Sequence, residues 1–182
     1  AFNVMKIAGI YSDRAFIKGD NAVLSGGGSF YCPEGCGDGG VELRWGIAAK
    51  INHVCKSVPA KHAGRFYEDV CFAFDFALED KSSGAFADAF DYSFALGGWK
   101  KKDDETLIGA SVSLNNGDET LDCFDKALLE LDMVIERISK TISLKVGDVV
   151  FLPLDTVAKR VEIGKVFEVF AGDECLIGCE IK

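Results

Sequence analysis

Two mainly apolar runs, Leu43–Ile51 and Val70–Phe76, constrain this chain more than any other feature. Each has the length of a strand, and each is consistent with burial on both faces of a sheet. Further strands are expected at Val4–Ile10, Leu107–Leu114, Val149–Leu154, Val166–Ala171 and Cys175–Ile181. Gly26-Gly27-Gly28 reads as a hairpin tip between Ala22–Ser25 and Ser29–Cys32, and Asn115-Asn116-Gly117 signals a tight turn. One helix stands out. Leu121, Phe124, Leu128, Leu131, Ile135 and Ile138 recur every three or four residues as a single apolar stripe, with Thr120 as its expected N-cap. A shorter helix is expected around Ala60–Asp69. Strands outnumber helices, so the expected class is β-rich α+β, built as one domain over residues 1–182.

Composition narrows the partners. Lys and Arg number 20 against 29 Asp and Glu, a net charge of -9 that would repel phosphate backbones. Neither a nucleic acid nor an anionic membrane surface is an expected partner. No apolar run approaches the ~20 residues that a membrane-spanning helix needs. Ala1–Ile10 lacks a basic segment followed by a long apolar stretch, so no secretion signal is expected and the cytoplasm is the default compartment. Seven cysteines, an odd number, fit poorly with a complete disulfide set. Cys32/Cys36 and Cys175/Cys179 have C-x3-C spacing, wider than the usual zinc knuckle, so reduced and mostly buried thiols are expected instead.

Generic catalytic patterns are missing. There is no P-loop, no G-x-S-x-G elbow and no H-E-x-x-H, and His53 and His62 stand beside no recognisable nucleophile. More informative is an ordered series of segments: Ala15–Leu24 (AFIKGDNAVL), Lys50–Asp80, Ala89–Ser93 (AFDYS), Val112–Gly117 (VSLNNG) and Thr141–Phe151 (TISLKVGDVVF). This series resembles the fumarylacetoacetate hydrolase family, and it covers most of the chain. The resemblance implies that family's mixed β-roll or sandwich, with one main helix packed on its outside. It also implies a homodimer.

Members of that family cleave, decarboxylate or tautomerise 2-oxo and diketo acids around one Mg2+ or Mn2+. Two Glu of an E-x-E strand and an Asp on the next strand hold the ion, as oxygen ligands suit such hard cations. Asp75 matches the Asp. Counting back without a gap by the motif spacing, the two Glu positions fall on Arg44 and Gly46, neither of which can ligate a cation. An alternative alignment makes Glu42 a ligand with Asp75, and recruits Asp38, Asp88 or Asp91 as a third. The family's Lys before its "sFD" segment falls on Asp88, and its "TGTP" anion turn reads Leu152-Pro153-Leu154-Asp155. Its early catalytic His segment shrinks to Tyr11-Ser12-Asp13-Arg14.

The expectation is therefore a catalytically degenerate homologue, without a metal cofactor, acting in binding or assembly. The alternative is a divergent Mg2+- or Mn2+-dependent hydrolase, decarboxylase or tautomerase of a small 2-oxo or diketo acid. A small organic acid is the expected ligand class. If Arg44 replaces the metal's positive charge, it should lie within hydrogen-bond reach of Asp75.

Overall fold

Side-chain alternation in two long paired strands sets the architecture. The computed structural model describes residues 6–11, 14–36, 40–115, 117–155 and 157–182. In chain order the first strands are β1 (Lys6–Tyr11), β2 (Arg14–Gly19), β3 (Val23–Ser25), β4 (Gly28–Phe30) and β5 (Val41–Ile51). A short helix α1 (Ala60–Ala63) precedes β6 (Tyr67–Leu78), β7 (Phe94–Leu96), β8 (Lys100–Lys101), β9 (Val112–Leu114) and β10 (Glu119–Leu121). The main helix α2 (Phe124–Thr141) is followed by β11 (Val149–Pro153), β12 (Lys159–Arg160), β13 (Val166–Ala171) and β14 (Glu174–Ile181).

The strands form two sheets. The larger runs β2-β1-β11-β5-β6-β7-β3, with β12 beside β5 and β8 beside β6; the smaller runs β10-β9-β13-β14-β4. Strands β5 and β6 pair antiparallel in a register that sets Trp45 opposite Phe74 and Arg44 opposite Asp75. Because side chains alternate, those two neighbouring pairs face opposite sides of the sheet. On one side Leu43, Trp45, Ile47, Phe72, Phe74 and Phe76 join the main core, which also takes in Leu131, Ile135 and Ile138 of α2 and Val169 and Ile177 of the small sheet. On the other side Ala48, Cys71 and Ala73 join Ile7, Phe94, Val149 and Phe151 in a smaller cluster. Helix and small sheet thus cover one face of the large sheet, while Leu129 and Met133 of α2 look outward.

Several expectations are corrected. The three glycines do not close a hairpin: β3 pairs parallel with β7 in the large sheet, and β4 pairs parallel with β14 in the small one. All three have positive φ, and a Cβ on Gly27 would lie 2.3 Å from the Gly178 carbonyl, so the run is a tight passage between sheets. Thr120 is not a helix cap, because Glu119–Leu121 pairs with Val112–Leu114 as a strand and the helix starts at Phe124. Leu107 lies in a turn, and that strand begins at Val112. The Ala60 helix lasts four residues, and Tyr67–Leu78 is strand. Cys175 is exposed whereas Ile177, Cys179 and Ile181 are buried, because a register shift opposite Val169/Phe170 turns Cys175 off their face. Three of the seven cysteines are buried, so mostly buried thiols overstates the case. The runs at Val149, Val166 and Cys175 fold as read. Asn116 and residues 1–5, which include the first two positions of the expected Val4–Ile10 strand, lie outside the described residues, as do Ser12 and Asp13.

Candidate functional site

Strand alternation carries Glu42, Arg44 and Gly46 of β5 to the same face as Asp75 of β6. Asp75 is 5% exposed, and an isolated carboxylate there would be strongly disfavoured. Its ion-pair partner is Lys18 of β2, whose Nζ lies 2.6 Å from Oδ1. Lys18 is itself fully buried, and its ammonium also donates to the carbonyls of Phe76 (2.7 Å) and Ser93 (2.9 Å) and to Ser93 Oγ (3.0 Å). Four acceptors thus surround one cation. Burial pushes the Asp75 carboxyl up, opposed by the Lys18 charge, and burial pulls Lys18 down, opposed by Asp75.

The expected Arg44–Asp75 hydrogen bond does not form, although the two residues are direct cross-strand neighbours. Lys18 reaches the carboxylate first. Arg44 instead lies over the Tyr11 ring, with Nη2 3.9 Å from Glu42 Oε2, and its side chain is 13% exposed. Arg44 and Asp75 do line one cavity of about 50 Å³, together with Tyr11, Arg14, Phe16, Ala77, Lys81 and Asp88. Asp88 is held there by Arg14 and by Lys81, at 3.4 Å. Glu42 and Gly46 do not line this cavity. Asp91 accepts a 2.6 Å hydrogen bond from Asn21 on the surface, and Asp38 lies outside the described residues.

Gly46 has no room for a ligand side chain. A Cβ there would meet the Leu152 carbonyl at 2.1 Å and the Phe151 ring at 2.8 Å. The donors present do not suit a divalent cation: one carboxylate already holds an ammonium, a second is held by two cations, and a guanidinium lines the same cavity. Among the described residues no three or more His, Cys, Asp or Glu side chains gather as a metal site.

Asp155, in the stretch matched to the anion turn, is 6% exposed, and neither carboxylate oxygen has a hydrogen-bond partner among the described residues. Burial and then the nearby Glu119 push it up to about 7, against Arg44 and Lys159. Glu119 accepts from Trp45 Nε1 at 2.7 Å and is paired with Lys159. The sequence marks Ser93 and Asp155 only as members of matched segments and gives no role to Lys18. The available signal for Lys18 was its place in the AFIKGDNAVL segment. His53 is exposed, bonded to Asn52, and neither histidine lines the cavity.

The sequence matches no family model and no curated protein. Solved structures do match. A 5-carboxymethyl-2-hydroxymuconate delta-isomerase from Mycobacterium smegmatis superposes with a TM-score of 0.78 at 17% identity, over 99% of this chain and 79% of that one. A protein from Yersinia pestis CO92 assigned to the fumarylacetoacetate hydrolase family gives 0.77 at 18%, over 98% and 93%. A 2-hydroxyhepta-2,4-diene-1,7-dioate isomerase from Mycobacterium marinum gives 0.76 at 18%, over 98% and 74%. The chain therefore has the fold of fumarylacetoacetate hydrolase family proteins, as the ordered motifs imply.

Proposed function

We propose that this chain is a fumarylacetoacetate hydrolase family protein that works by binding or assembly rather than by metal-dependent catalysis. The observation that carries this reading is the fate of the cation-facing positions. Position 46 is filled by the Phe151 ring and the Leu152 carbonyl, position 44 bears a guanidinium, and Asp75 is bonded to Lys18. Positive charge now comes from the chain itself, and a divalent ion would have to displace a buried ammonium held by three further acceptors. Titration calorimetry of the chelator-treated protein with Mg2+ and Mn2+ tests this. No heat of binding is expected in the wild type or in Asp75→Asn.

A metal-dependent isomerase or hydrolase is the second reading. It is supported by Asp75 and Asp88 lining one cavity and by the isomerases among the structural neighbours. Mn2+ binding that disappears in Asp75→Asn, with turnover of a small 2-oxo acid, would establish it in place of the first.

A further inference from the structure

The cavity beside Asp75 holds a cation that has no hydrogen-bonded partner among the described residues. Three cations, Arg14, Arg44 and Lys81, and two carboxylates, Asp75 and Asp88, line it. Both carboxylates are already served: Asp75 by Lys18, and Asp88 by Arg14 and Lys81. Arg44 is left over. Its nearest carboxylate, Glu42, sits 3.9 Å away, beyond hydrogen-bonding distance, and no described residue accepts a hydrogen bond from its guanidinium. The side chain is 13% exposed, so its forked donors stay open to the cavity while no described residue matches them. Tyr11 packs against the guanidinium and holds it in place.

We propose that Arg44 is the anchor of a small-carboxylate site, in which an anion bound directly by the chain lies in this cavity. The inference rests on the metal-free reading above. A guanidinium presents planar, forked donors that match a carboxylate, and Arg14 and Lys81 lie at the same cavity to extend the positive field. Its volume of about 50 Å³ suits formate, acetate or a similarly small carboxylate head. The site also concentrates positive charge in a chain of net charge -9, so a carboxylate would meet attraction here and repulsion over most of the surface.

The test is a titration of isotope-labelled, chelator-treated protein with sodium acetate, followed by amide and arginine side-chain resonances against sodium chloride at equal ionic strength. Acetate should give a saturable shift at Arg44 Nε–H and in the amides of residues 44–46 and 75–77. Arg44→Gln should abolish the saturable shift. Arg44→Lys should weaken affinity about tenfold, because a point charge replaces the two-pronged contact. Glu42→Gln should tighten it about threefold, as a weakly competing carboxylate is removed. Undiminished acetate affinity in a folded Arg44→Gln protein would overturn the proposal, as would a wild-type response identical in acetate and chloride. Mn2+ added to the same samples separates the two ideas. Paramagnetic broadening centred on Asp75 would overturn the metal-free reading, whereas absent acetate binding without such broadening would overturn the anion site alone.

Discussion

The two faces of the β5–β6 ribbon share one backbone register and solve different problems. On the main-core face, Trp45 meets Phe72 and Phe74 meets Phe167, and packing is shared with α2 and the small sheet. On the opposite face, one residue along each strand, Arg44 and Asp75 stand among charges that the chain must balance internally. The comparison shows that the fold can be kept by one face while the other is rebuilt. Nothing about burying Trp45 or Phe74 depends on whether position 44 carries a carboxylate or a guanidinium.

Substitutions on each face sharpen that contrast. Phe74→Ala should cost about 4 kcal/mol in chemical denaturation, since a fully buried aromatic is removed from a packed core, and the loss should be independent of pH. Lys18→Met should cost about 3 kcal/mol, because it strands Asp75 as a buried carboxylate without its ion pair. This loss should depend on pH. A carboxyl raised above its unfolded value loses stability as pH rises, so the deficit should be greater at pH 8 than at pH 5. Lys18→Met/Asp75→Leu should recover most of it. An equal loss at both pH values would mean that the two faces are held by the same kind of packing.

A smaller effect is expected at Asp155. Its folded value of about 7 lies above that of the unfolded chain, so its contribution is intact below about pH 4 and is lost as pH rises through 7. Asp155→Asn should therefore raise stability at pH 8 by about 2 kcal/mol, or some 4–8 °C in melting temperature, with little gain at pH 4. A gain that does not change with pH would assign the effect to packing.

The core face was the legible one. Its apolar residues announce strands β5, β6, β11 and β13 because burial leaves a direct mark on composition. The stripe in α2 is visible for the same reason, but its start is not. Thr120 has the chemistry of a cap, and only a pairing with Val112–Leu114 diverts it into a strand. The glycine run shows that the backbone must take positive φ, not which sheet each end joins. On the other face, strand spacing correctly sets Arg44 across from Asp75. It carries no information that Lys18, from a strand four places from β6 in the sheet order, beyond β5, β11 and β1, supplies the contact. Charges that balance through tertiary structure leave no periodicity.

The glycine passage has a temporal consequence. It sends β4 to pair with β14, and although β1 pairs at once with β2, its other edge waits for β11, so these edges are filled only by strands far along the chain. Closing such long loops precedes the contacts that reward it, which favours slow folding. On the ribosome, the nascent chain would carry the unpaired edge of β4 until β14 emerged. A chain stalled before Glu174 would leave β4 without its partner.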